Sequence, residues 1–423
     1  MQVPSLSSTL SLRQQALSWA SAYPYVAFFD SCGSEVDRYG SWSWLLGVGG
    51  ADTRRLESWL QLLQHQDHWA MGLLPYDLKN QLEPRLHSRD EPPVSWPEVA
   101  FFLPETVIGL RRGASEPEVL LHPAGRPDPL PTLRAALPLP PLSEAAPDFA
   151  PLMDRDTYLR TIRRLQQHIR DGDFYEINLT QAYVARHRLE DPAAAFLQLT
   201  EISPVPFAAY LRYGDRYLLS ASPERFLQSA GPWLRSQPIK GTAPRGRTPA
   251  EDARHQQALR HSIKEQAENV MIVDLTRHDL NRSCETGSVS VPRLFEVQTF
   301  PQVHQLVSTV EGRRAGDVTA LEALGRMFPP GSMTGAPKVM TMEMIDHYEA
   351  CGRGAYAGSA GYMDPEGDFD LNVIIRSLIY DASGEQLCYH VGGAITYDSD
   401  PAAEYEETLV KARAIRLLFG APS

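Results

Sequence analysis

The sequence predicts an α+β fold whose sheets are largely antiparallel. Strand patterns are joined by turns of hairpin length, most clearly in PFAAYLRYGDRYLLSASPERFLQ, which reverses at Gly214-Asp215. Helical patterns stand between such runs, and the C-terminal part is strand-rich before one closing helix. No G-x-G-x-x-G follows a strand and no Walker loop occurs, so nothing predicts a bound nucleotide.

In chain order, YPYVAFFDS and SWSWLLGVG read as strands split by polar turn residues. RRLESWLQLLQ then reads as a short helix, with Leu56, Trp59, Leu60 and Leu63 at helical spacing. From Leu74 to Pro147 there are 15 prolines in 74 residues, which excludes long helices there. Strands such as VAFFLPETVIGL remain, joined by rigid surface connections such as PAGRPDPLP and PLPPLSEAAP. The character changes near residue 150. We therefore divide the chain into an aromatic and proline-rich N-terminal lobe, 1–150, and a second region, 151–423.

That region opens with DRDTYLRTIRRLQQHIRDGD, an amphipathic helix with Tyr158, Ile162, Leu165 and Ile169 on one face, closed by Gly172. YEINLTQAYVARH follows as a strand. Residues 251–270 form a helix feeding VMIVDL, and VTALEALGRMF and PKVMTMEMIDHYE form two more. AYAGSAGYMDP, FDLNVIIRSLIYD and EQLCYHVGGAITYD read as strands, and a helix over 401–418 closes the chain.

Composition bounds the function. Of 423 residues, 43% are hydrophobic, enough for a sizeable core. Lys and Arg total 40 against 52 Asp and Glu, a formal charge of −12, which argues against nucleic acid or an anionic membrane as partner. An anionic small molecule stays open, because a metal ion and local cations can reverse the field inside a pocket. Cysteines 32, 284, 351 and 388 form no C-x-x-C pair or disulfide framework. MQVPSLSSTLSLRQQ lacks a secretory pattern, and no apolar run is long enough to span a membrane. The expectation is a cytoplasmic protein.

Seven segments carry chemistry. Glu265 and Glu268 lie three apart on a helix, and Glu404 and Glu407 repeat the spacing. A hard cation, most naturally Mg²⁺, would relieve such like-charged pairs by joining the two helices, although the same spacing is common on solvated surfaces. Glu224, in ASPERF, is a general acid if burial keeps its proton; otherwise it pairs with Arg225 or caps a turn. Lys240, in QPIKGTAPRG, is a nucleophile if its amine is neutral, and an anion-binding or plain surface lysine if not. PPGSMTGAPKVM places Thr334 before a helix N-terminus, and VGGAIT exposes backbone at Gly392-Gly393 after a strand, both suited to anions. Arg376 is a cation inside an otherwise apolar strand, where it should face a carboxylate. Together they imply a small substrate with more than one carboxylate.

The segments GDFYEINLT, SASPERF, PIKGTAPRG, KEQAENVMIVDLTRHDL, FPPGSMTGAPKVM, GAYAGSAGY, FDLNVIIRS and HVGGAITYDSDPAAEYEETLVKA resemble, in order, those of the chorismate-utilising enzymes. The resemblance covers residues 151–420, about two thirds of the chain. It implies two large, mainly antiparallel sheets packed together and flanked by helices, with the active site in the cleft between them. It implies that Glu268 and Glu407 hold Mg²⁺ against the substrate's ring carboxylate, with Glu265 and Glu404 as second ligands or water holders. Glu224 resembles the general acid for the departing C4 hydroxyl, and His304 the histidine beside the ring. Tyr356, Arg376 and the Gly392-Gly393 backbone would receive the carboxylates, and Thr334 the substrate's polar edge.

Within the family, lysine at position 240 resembles the aminodeoxychorismate-forming type, because anthranilate-forming members typically have alanine there. The implied reaction is attack of Lys240 on C2, then of ammonia on C4, leading toward p-aminobenzoate and folate. Glu176 stands where amino-transferring members commonly have glutamine and where isochorismate and salicylate formers have a lysine base. No cysteine sits in a G-x-C-x-G elbow, so the expected ammonia source is a separate glutamine amidotransferase subunit. The rival readings are anthranilate synthase component I and a non-catalytic regulatory homologue.

Overall fold

Antiparallel strands build two sheets, as the hairpin spacing predicts. In the computed structural model, which describes residues 6–420 except 89, 141, 143, 144 and 302, one sheet has 11 strands and the other 10. The proline-rich connection PLPPLSEAAP and the extreme N-terminus lie partly outside the described residues.

Both sheets draw strands from either side of residue 150. In the larger sheet Tyr25–Asp30 pairs with Phe207–Tyr213, and in the smaller Ala70–Leu74 pairs with Ser359–Met363. The first 150 residues therefore extend both sheets rather than close a core of their own. One hydrophobic cluster accordingly joins Ala27, Leu73 and Phe101 to Leu218, Leu227 and Leu371 between the sheets. Strand alternation turns Val26, Phe28 and Leu219 to the other face, where the flanking helices cover them with Ala16, Phe196 and Ile415.

The helix Arg155–Asp171 is capped by Asp154 and stops at Gly172 in the left-handed region (φ 87°), as its pattern predicts. Elsewhere the structure corrects the reading. RRLESWLQLLQ is helical only over Trp59–Leu63; Leu56 belongs to a two-residue strand and Leu60 is exposed. The helix over 251–270 is two helices, Pro249–His261 and Ile263–Asn281, and VMIVDL is helical. Ser262 breaks them, because its hydroxyl accepts the Glu265 backbone N–H and caps the second.

The largest correction positions the site. FDLNVIIRSLIYD is not one strand: Phe369–Asn372 lies in the smaller sheet and Ser377–Asp381 in the larger. Arg376 takes φ 53°, a left-handed conformation that breaks the extended run. A second crossing runs alongside, from Arg216–Ser222 in the larger sheet to Arg225–Ala230 in the smaller. The Val373 N–H donates to the Glu224 carbonyl at 3.0 Å and the Ala221 N–H to the Arg376 carbonyl at 3.2 Å. Glu224 and Arg376 are thus held on adjacent crossings where the sheets exchange strands.

Candidate functional site

Glu224 is buried and does not pair with Arg225. That guanidinium is taken by Asp37 at 2.8 Å and Asp370 at 2.8 Å. Burial pushes the Glu224 carboxyl up to about 7, against the pull of nearby Ser332 and Lys240. A small cavity beside it is lined by Ser236, Thr276, Asp279 and Ser332. A carboxyl that keeps its proton near neutral pH can act as an acid.

Arg376 is expected to face a carboxylate, and the one that acts on it, Glu407, does so without an ion pair. Among the described residues it makes no ion pair, and burial lowers it from its ordinary value while Tyr356 and Glu407 pull upward. Tyr356 is buried and stacks on His390, ring centroids 4.9 Å apart and planes 12° apart. Burial holds His390 down to about 3, so the ring is neutral, and its Nε2 is buried without a hydrogen-bond partner. A desolvated guanidinium near a buried phenol, with no ion pair among the described residues, is suited to an anion.

Lys240 lies on the strand Ile239–Pro244 of the smaller sheet, and Glu176 opens the strand Glu176–Arg186 of the larger. The Lys240 amine donates to Glu176 Oε1 at 2.7 Å, with Glu176 almost fully buried. Burial alone would lower Lys240, but Glu176 outweighs it, with Glu268 and Glu224 adding, and the amine sits above its ordinary value. Lys240 is neither a surface lysine nor neutral at rest. It is a cation locked between the sheets.

Glu265 and Glu268 stand on Ile263–Asn281, and Glu404 and Glu407 on the closing helix Pro401–Leu418. Lys264 Nζ lies 3.8 Å from Glu268 and 4.0 Å from Glu404, so one amine spans both helices. Burial lifts Glu268 to about 7, with Lys240 opposing and Glu265 reinforcing the lift. Burial also raises Glu265 and Glu404. Glu407 is exposed, and Lys411 at 2.7 Å outweighs what desolvation it has and holds it below its ordinary value. Among the described residues no group of three or more His, Cys, Asp or Glu side chains converges as metal ligands. The donor set still suits a hard divalent cation, because all four side chains offer oxygen, and Gly393 borders Glu404, Glu407 and Lys411. A Cβ at Gly393 would sit 3.4 Å from Glu404 Oε2 and 3.9 Å from Glu407 Oε1.

Gly392 and Gly393 do not follow a strand; they lie inside Gln386–Ile395, opposite Thr180 and Leu179. The Gly392 carbonyl already accepts from Lys411 at 2.8 Å. Thr334 is buried, donates to the Gly331 carbonyl at 2.9 Å and is followed by a two-residue strand, Gly335–Ala336, paired with Glu176 and Ile177. The helix begins only at Lys338. His304 is fully buried, with Nδ1 3.0 Å from the Thr299 hydroxyl and Nε2 2.9 Å from Asp252. Among the described residues, no side-chain hydrogen bond or ion pair joins it to Lys240 or Glu224.

Three further groups escaped the sequence reading. Lys264 and Lys411 were visible in principle, each four residues from a glutamate on its own helix. Arg353 had no such signal: it is buried, grips Glu349 and the carbonyls of Met333 and Asn178, and so ties the Thr334 segment to Glu176–Arg186.

Comparisons with known proteins bear on the family and the fold. A model of the chorismate binding enzymes matches residues 48–417. Aminodeoxychorismate synthase of Streptomyces griseus is 49% identical over 267 residues, 63% of this chain and 36% of that protein. Aminodeoxychorismate synthase component 1 of Klebsiella aerogenes is 39% identical over 349 residues, 82% of this chain and 76% of the relative. The match thus spans little more than a third of the Streptomyces griseus relative, and 40% of that of Streptomyces pristinaespiralis. The crystal structure of anthranilate synthase component I from Streptococcus pneumoniae superposes with a TM-score of 0.73 at 29% identity, covering 82% of this chain and 80% of that one. The two-sheet fold is shared with it. No helix among the described residues is long and apolar enough to cross a membrane.

Proposed function

The chain belongs to the chorismate binding enzyme family, and from that premise we propose that it converts chorismate and ammonia into 4-amino-4-deoxychorismate. The observation that carries the reading is the amine of Lys240, held between the sheets and under the influence of the neutral-leaning Glu224. Lys240 forms a bond to ring C2, the ring π electrons shift toward C4, and the C4 hydroxyl leaves as water with the proton of Glu224. Ammonia then attacks C4, the π electrons return, and the C2–Nζ bond breaks. The enolpyruvyl group stays in place.

The other residues bind and orient. Arg376 receives a substrate carboxylate, Tyr356 supports it, and the backbone of Thr334 and Gly393 borders the ring. His304 shapes the wall beside the ring by anchoring Asp252. Glu268 and Glu407, with Glu265 and Glu404, would hold Mg²⁺. The ion's contribution is to neutralise carboxylates that otherwise repel the anionic substrate. The ammonia source is a separate glutamine amidotransferase subunit. The relatives named aminodeoxychorismate synthase support the amination, and Lys240 supports C4 as its site.

The test is product identification from the purified chain with chorismate, Mg²⁺ and excess ammonium salt. An aminated product that keeps the enolpyruvyl group supports the proposal. Anthranilate with released pyruvate would replace it with the anthranilate synthase reading, and no Mg²⁺-dependent chorismate binding would favour a non-catalytic homologue.

A further inference from the structure

We propose that Glu176 is the base that makes Lys240 a nucleophile, taking the amine's proton before attack on C2 and returning it when the amine departs. The inference rests on the covalent reading above. A protonated lysine has no lone pair to offer, and Lys240 is held protonated at rest. Its proton must pass to an acceptor already in contact. Among the described residues, the one hydrogen bond of Lys240 Nζ runs to Glu176 Oε1, at 2.7 Å. The second oxygen, Oε2, is buried with no hydrogen-bond partner, so no other donor competes for this carboxylate. The remaining carboxyls facing the amine are committed elsewhere. Glu224 supplies the leaving hydroxyl's proton, and Glu268, with its neighbour Glu265, belongs to the proposed metal set.

The step balances. Lys240 ammonium and Glu176 carboxylate become amine and carboxylic acid; the amine lone pair forms the C2–N bond as the C4–O bond breaks. When ammonia displaces the lysine, the departing electron pair stays on Nζ, and Glu176 gives the proton back. The new C4 ammonium loses one proton to Glu224, which restores the starting state. Glu176 thereby supplies a full charge where an amide could supply none.

The experiment is rapid-quench mass spectrometry of the full chain mixed with chorismate and Mg²⁺ without ammonia, following the mass of the Lys240 adduct. Glu176→Gln should slow adduct formation by about 100-fold or more, the usual weight of a general base. Chorismate binding, followed by intrinsic fluorescence, should be unchanged. Glu176→Asp should recover part of the rate, and added formate should accelerate Glu176→Ala in proportion to its concentration. Adduct formation at the wild-type rate in Glu176→Gln would overturn the role and leave the covalent reading standing. No adduct in the wild type, with amination still observed, would overturn both.

Discussion

Glutamine at position 224 should make the protein more stable above neutral pH and nearly inactive, because burial of Glu224 is a cost carried for chemistry. Its pKa is raised from 4.5 to about 7, chiefly by burial. The sign follows from linkage. Below about 4.5 the carboxyl is protonated whether folded or unfolded, and the stabilising difference is fully present. Between 4.5 and about 7 the unfolded chain has released the proton and the folded chain has not, so stability falls as pH rises. Above about 7 the loss is complete, and the distance between the two values corresponds to roughly 3 kcal/mol. Urea unfolding of wild type and Glu224→Gln at pH 5 and pH 8 measures it. The variant should gain about 2.5 kcal/mol relative to wild type between those conditions, while losing activity about 100-fold or more as the proton donor disappears. An identical pH dependence in the two proteins would refute the claim that Glu224 is held neutral, and with it the acid role.

Arg225→Met should destabilise the fold by about 3–5 kcal/mol in urea titrations, because Asp370 would lose its cation and the buried Asp37 would keep only Arg112. Arg376→Ala should weaken chorismate binding by about 2–5 kcal/mol with little change in stability, since no ion pair of the folded chain is lost; equal binding by both proteins in fluorescence titration would remove Arg376 from the site. Glu407→Gln should lower Mg²⁺ affinity by about tenfold or more in calorimetric titration, and a chelator should abolish the Mg²⁺-dependent part of chorismate binding.

Much of this was legible because it is local. The i,i+3 spacing put Glu265 beside Glu268 and Glu404 beside Glu407, and both pairs lie on helices, although the first of these starts at Ile263 and runs on to Asn281. Gly172 and Asp154 bounded their helix for the same reason. What escaped depends on long-range closure. Glu176 and Lys240 are 64 residues apart and meet only because two sheets face each other. Arg225 reads locally as the partner of Glu224, yet its carboxylates come from positions 37 and 370. Arg376 reads as a strand residue because apolar residues flank it, and only its left-handed backbone, set by the crossing between sheets, reveals it as a corner. Gly392-Gly393 reads as backbone exposed after a strand, but pairing with Thr180 and Leu179 keeps it inside one.

The central claim is that Lys240 directs the incoming nitrogen to C4. The most direct test uses ¹⁵N-ammonium and locates the label on the ring by NMR, in wild type and in Lys240→Ala. The account predicts nitrogen at C4 with the enolpyruvyl group retained in the wild type, and loss of that product in the variant. Nitrogen at C2 in the wild type, or undiminished C4 amination by Lys240→Ala, would contradict it.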